Sequence, residues 1–146
     1  MNSENKINAL LIFEILGRPP EHIAEFLKDI IKKVGSEKGV SIKYEKIHDP
    51  KEIEEEKGFY TTFAEVELEL EEIFNLIVIM FKYMPAHVEI SSPEKLQISN
   101  NKLNEFFNEL ARRLHSYDEV ARVLQTEKNI LENKLKEILE KTPKES

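Results

Sequence analysis

The chain contains no cysteine and no tryptophan, and only 4 glycines among its 146 residues. Without cysteine there is no disulfide framework, no thiol nucleophile and no thiolate-based zinc or iron–sulfur site. So few glycines leave no Gly-rich phosphate cradle, and neither a P-loop nor a Gly-x-Ser-x-Gly nucleophile turn is present. Basic surplus is missing too. The formal net charge is −7, and generic nucleic-acid binding needs a basic footprint. The longest apolar run, Ile73 to Phe81, is interrupted by Asn75 and is far shorter than the ~20 residues that span a bilayer. Met1 to Lys6 is polar and carries no apolar signal core, so a cytoplasmic protein without membrane contact is expected.

What is present is charge and hydrophobicity in alternation: 34% charged and 40% apolar residues, against about 25% charged in ordinary domains. Ile7 to Leu16 reads as a strand apolar on both faces, as a central strand should be. Gly17-Arg18-Pro19-Pro20 ends it, and proline suits the first turn of a following helix. Ile23, Phe26, Leu27, Ile30, Ile31 and Val34 then form one helical stripe, closed by Gly35. Val40 to His48 alternates, with Val40, Ile42 and Tyr44 opposite Ser41, Lys43 and Glu45. Asp49 to Lys57 reads as a polar loop. Phe59 to Leu70 is the clearest strand, with Ala64, Val66, Leu68 and Leu70 on one side. Glu71 to Met84 is predicted to be a helix apolar nearly all round, hence covered on every side, and Ala86 to Ile90 a short strand. The order β-α-β-β-α-β predicts an α+β, ferredoxin-like sandwich over residues 1–96.

Residues 97–141 contain neither glycine nor proline. Leu103, Phe107, Leu110, Leu114, Tyr117, Ala121, Leu124, Lys128, Leu131, Leu135 and Ile138 follow one another at alternating spacings of four and three. This heptad pattern predicts a long helical, coiled-coil-like extension in which Lys128 either sets register or snorkels. A second row of Phe106, Val120, Val123, Ile130 and Leu139 widens the stripe. Ser116-Tyr117-Asp118-Glu119 could cap a second helix, so one rod and a helix pair both fit. Residues 142–146 read as a disordered end. Residues 1–98 hold 12 Lys and Arg against 19 Asp and Glu, a net −7, whereas residues 99–146 hold 9 of each. A neutral, leucine-striped tail is suited to meeting protein. Arg112, Arg113 and Arg122 are its candidates for phosphate contact, against the field of the acidic head.

The turn Leu16-Gly17-Arg18-Pro19-Pro20-Glu21-His22 offers a helix N-terminus and a guanidinium fork. Here the chain resembles ACT-type regulatory domains over about residues 6–91. They share the element order and open their first helix with an Arg-Pro pair, where Arg18-Pro19 stands. Ala24 and Phe26 match apolar helix positions, and Gly39-Val40-Ser41-Ile42 resembles their Gly-led second strand. The resemblance implies a small-molecule site, for an amino acid or related metabolite, at Gly17, Arg18, Pro19 and His22.

The alternation also gathers Glu14, Lys43, Glu45, Glu65, Glu67, Glu69, His87 and Glu89 on the open sheet face, a candidate for divalent-cation binding or acid–base work. Leu10, Ile12 and Phe63 share that face, and large apolar groups there mark a contact surface. The four histidines, His22, His48, His87 and His115, lack zinc-type spacing. With no chemical motif, no catalytic residue, cofactor or metal is assigned. The sequence predicts a homodimer, or a higher homo-oligomer, that assembles through its tail and meets a protein partner. A metabolite sensor is the alternative.

Overall fold

The computed structural model describes residues 6–142. Two units make up the chain, dividing between Gln97 and Ile98, and each is described by itself.

The first unit runs β1 (Ile7–Gly17), α1 (Pro20–Gly35), β2 (Val40–Ile47), β3 (Lys51–Ile53), β4 (Glu56–Leu70), α2 (Ile73–Tyr83) and β5 (His87–Ser92). The strands form one antiparallel sheet in the order β2-β4-β1-β5, with β3 folded back on β4. β1 and β4, the two most apolar segments by alternation, lie at its centre. Their register sets Ile7, Ala9, Leu11 and Phe13 beside Leu70, Leu68, Val66 and Ala64. All eight are buried, together with Leu27, Ile31 and Val34 of α1 and Leu76 and Ile79 of α2. Both helices therefore cover the same sheet face. The other face is left to the odd-numbered residues of β4 and the even-numbered residues of β1.

Four local expectations are corrected. The segment read as a polar loop after His48 contains β3, a short arm on the far end of β4. A bulge between Ile42 and Tyr44 shifts the β2 register by one residue, so Tyr44 stands opposite Glu67 and Glu45 opposite Val66. One extra residue reverses which side each later side chain takes. Tyr44 thus leaves the core side for the open face. Phe26 is 57% exposed although it lies in the α1 stripe. In α2 only Leu76 and Ile79 are buried, while Phe74 and Met80 are exposed. The helix is not covered on every side within this chain.

Asn75, the polar break in the apolar run of α2, has a structural task. Its Oδ1 accepts the Glu72 backbone N–H at 2.9 Å, and its Nδ2 donates to the Lys38 carbonyl at 2.9 Å. Gly39, at φ +73°, gives way to it: a Cβ there would sit 2.8 Å from Asn75 Nδ2. At the other end of α2, Lys82 Nζ and the Tyr83 hydroxyl both donate to Glu37 Oε1, at 2.7 and 2.5 Å. These two grips hold the α1–β2 turn against α2. Hydrogen bonds from Lys82 and Tyr83 hold the Glu37 carboxyl below its usual range. Burial, and then the Glu37 carboxylate, push the Tyr83 hydroxyl up to about 12.

The second unit is one unbroken helix, α3 (Asn100–Lys141), capped by Ser99, whose hydroxyl accepts the Lys102 N–H at 3.3 Å. The helix continues through Ser116, so the tail is a rod and not a pair. At 1.5 Å per residue its 42 residues extend about 63 Å. Of the end read as disordered, residues 143–146 lie outside the described residues.

Two measurements test the grips on the α1–β2 turn. Asn75→Ala should lower the unfolding free energy by about 1–2 kcal/mol in urea titrations, the value of two partly exposed hydrogen bonds. A change below ~0.3 kcal/mol would mean the clamp carries no energy. The Tyr83 hydroxyl has a higher pKa folded than unfolded, so its contribution is complete below pH 10 and is lost as pH rises toward about 12. Tyr83→Phe should therefore flatten the alkaline fall in stability between pH 10 and 12 relative to the parent. Parallel curves for the two proteins would rule this out.

Candidate functional site

Two surfaces of the head and one of the tail collect the residues singled out by sequence. At the β1–α1 turn, Ile15, Leu16, Gly17, Arg18, His22, Ile23, Glu25, Phe26 and Asp29 line an open groove of about 550 Å³. α1 approaches Gly17 closely: a Cβ there would lie 3.0 Å from Ile23 Cγ2. The Arg18 guanidinium stacks over the Phe59 ring, 4.9 Å from its centroid. The helix N-terminus itself has little left to offer an anion. Pro20 has no N–H, and those of His22 and Ile23 donate to the Pro19 carbonyl at 3.1 and 3.4 Å. The charged and titratable side chains of the lining are Arg18, His22, Glu25 and Asp29, beside exposed Leu16 and Phe26.

On the open sheet face the cross-strand rows are fixed. One runs His87, Ile12, Glu65 and Lys46, and the next Glu89, Leu10, Glu67 and Tyr44. Most of the carboxylates are individually engaged. Glu69 accepts from Lys6 Nζ at 2.6 Å and pairs with Lys43 at 3.2 Å. The Lys6 hydrogen bond above all, helped by Lys43, holds the Glu69 carboxyl below its ordinary value despite desolvation, and Lys6 is raised in turn. Glu14 accepts from the Thr61 hydroxyl at 3.2 Å, and Glu89 pairs with His87 at 3.8 Å. Among the described residues, no three His, Asp or Glu come together to hold a metal ion.

His48 is the residue that sequence spacing missed. Its ring stacks on Phe63 at a centroid distance of 4.0 Å and an interplanar angle of 17°. Its Nε2 lies 2.9 Å from Glu65 Oε2. Buried Thr62 donates its hydroxyl to the His48 carbonyl at 2.6 Å, and the His48 N–H donates to the Phe63 carbonyl at 2.9 Å. The histidine is thus folded over the sheet and extends the patch of Phe63, Leu10, Ile12 and Tyr44. Tyr44 and Phe63 are 49% and 37% exposed. The available signal was a histidine just past a strand end, two aromatics away from a partner that only the fold supplies.

No residue of α3 is buried. Phe107, Leu114, Tyr117, Leu124, Leu131, Leu135 and Ile138 of the heptad row are exposed, Leu131 at 67%, while Leu103 and Leu110 are partly covered. Its charges pair along the helix: Glu109 with Arg112 and with Arg113 (3.0 Å), Asp118 with Arg122 (3.0 Å), Lys128 with Glu132 (3.9 Å). Such pairs add only about 0.3–0.5 kcal/mol each. Among the described residues no helix is long and apolar enough to cross a membrane.

An antiparallel five-stranded sheet under two helices, followed by a long heptad-patterned helix, defines the class of protein. The chain belongs to the MJ0538 family, whose model matches residues 8–141, spanning both the head and α3. No curated protein and no solved structure matches it.

The His48 stack has a direct spectroscopic readout. In proton spectra, one of the 4 histidines should show ring protons shifted upfield by the Phe63 ring, and Phe63→Leu should return them to ordinary values. Unshifted resonances for His48 in the parent protein would remove the stack from solution.

Proposed function

We propose that this is a non-enzymatic assembly protein of the cytoplasm, a homodimer built through α3 that presents its head to a protein partner. The observation that carries the reading is the exposed heptad row of a 42-residue helix with no buried residue. A large apolar side chain is worth about 1.5–3 kcal/mol when fully buried. Half of that, summed over the seven exposed side chains of the row in two chains, is about 10–20 kcal/mol, comparable to or above the ~4–15 kcal/mol cost of association. The exposed side of α2 and the patch of Phe63, Tyr44, Leu10 and Ile12 supply the head's contact surface. We read the head as ferredoxin-like, with β3 an outgrowth of the β2–β4 connection. The strand order β2-β4-β1-β5 with both helices on one face supports this.

Mass measurement by light scattering at micromolar concentration tests the reading. The expected mass is twice 17.1 kDa. The double variant Leu124→Asp, Leu131→Asp should return the mass to one chain and reduce helicity, while the head retains its sheet signal. A parent protein of single-chain mass refutes the reading.

A second reading is favoured by the groove at Arg18: an ACT-like sensor taking an amino acid. Its expected signature is a rise in melting temperature with one amino acid in a thermal-shift panel, abolished by Arg18→Ala. A flat panel refutes it.

A further inference from the structure

We infer that two copies of α3 pair antiparallel, with residue 119 on the dyad between them. The inference deepens the dimer reading above and rests on it. In the heptad frame set by the row, Phe107, Leu114, Ala121, Lys128 and Leu135 occupy the first core position of successive repeats. The second core position falls on Leu103, Leu110, Tyr117, Leu124, Leu131 and Ile138.

A parallel, in-register pair sets each of the first group against itself. Lys128 then meets the partner's Lys128 in the core, one layer from Ala121 against the partner's Ala121, a charge clash beside a void. The flanking positions add Glu127 against the partner's Glu132. Only Arg113 opposite the partner's Asp118 is favourable. Flanking charges of this kind choose partner and orientation in coiled coils.

Running one helix backwards sets first core positions level with second ones. With residue 119 on the dyad, Ala121 faces the partner's Tyr117, small against large. Lys128 faces the partner's Leu110, along which its stem can lie with the ammonium outward. The layers Leu114 with Leu124, Leu135 with Leu103 and Phe107 with Leu131 pair leucine with leucine or phenylalanine, and only Ile138 meets a polar residue, the partner's Asn100, at the end of the rod. At the flanks, Val120 meets the partner's Val120 and Arg113 meets the partner's Glu127. Arg113 also binds Glu109 of its own helix at 3.0 Å. Asp118 does meet the partner's Asp118, but each is neutralised by its own Arg122 at 3.0 Å. The register one heptad further along sets Arg113 against the partner's Lys134 and loses this complementarity. The partner is therefore a second copy of the same helix, reversed.

The absence of native cysteine makes the test clean. Spin labels are placed singly, on the full chain, at Glu105→Cys, Glu119→Cys and Glu140→Cys, all exposed and on the side away from the seam. Distances are read by pulsed dipolar spectroscopy. With the dyad at residue 119 and about 1.5 Å per residue, the axial separations are about 42 Å, 0 Å and 63 Å. Adding the width of two helices gives roughly 50, 25 and 68 Å. Those three values together support the inference. About 25 Å at all three sites means a parallel pair: the dimer stands and the orientation falls. Equal long distances at Glu105 and Glu140 place the dyad elsewhere and overturn the register. No dipolar coupling with a single-chain mass overturns both readings.

Discussion

The antiparallel ladder between β1 and β4 is the constraint on which the head depends. It runs from Ile7 opposite Leu70 to Gly17 opposite Tyr60, and its register decides every residue that the core receives. Across it small is set against large: Ala9 beside Leu68, Phe13 beside Ala64. The resulting inner surface is level enough for α1 and α2 to lie on, and all of these side chains are buried. Slipping β4 by one residue would exchange Val66, Leu68 and Leu70 for Glu65, Glu67 and Glu69. The same register places Leu10, Ile12 and Phe63 on the far face among those glutamates. The core and the apolar patch of the open face are thus two consequences of one pairing.

That pairing was legible because strict alternation has a single reading. Leu68 and Leu70 cannot face the core unless Glu67 and Glu69 face away. The helical stripe of α1 and the heptads of α3 were legible for the same reason, since a period fixes a face. What the sequence hid are departures from periodicity and questions of what covers what. The bulge at Lys43 has no propensity signature, yet it moves Tyr44 across the sheet. Apolarity all round α2 implied cover on every side, but composition cannot say whether that cover comes from the same chain. Phe26 fits the α1 stripe by spacing and still ends exposed, because it stands at the stripe's edge over the groove. The His48 stack joins two residues brought together only once His48 returns to β4.

Polar residues inside apolar segments mark the functions that packing cannot serve. Asn75 interrupts the most apolar run of the chain and there binds the α1–β2 turn through both ends of its amide. Thr62, the buried polar residue among the described ones, ties down the His48 carbonyl. Lys128 breaks the heptad row, where a leucine would bind more tightly but tolerate several alignments. In each case a less favourable residue narrows the number of arrangements. The first two act within the fold, and the third would act on the pairing proposed for α3.

Charge closes the argument between head and tail. The net charge of −7 lies in residues 1–98, and α3 is neutral, with Glu109, Asp118 and Glu132 paired to basic residues along the helix. Two such helices can approach without a Coulomb penalty, whereas two heads repel. In a parallel pair both heads would be tethered at the same end, each in the other's field. Reversing one helix about residue 119 sets the two Asn100 ends about 57 Å apart at 1.5 Å per residue. That is many times the ~8 Å over which physiological salt screens a charge. On the antiparallel proposal, the acidity of the head, which argues against nucleic acid, would also disfavour the parallel alignment.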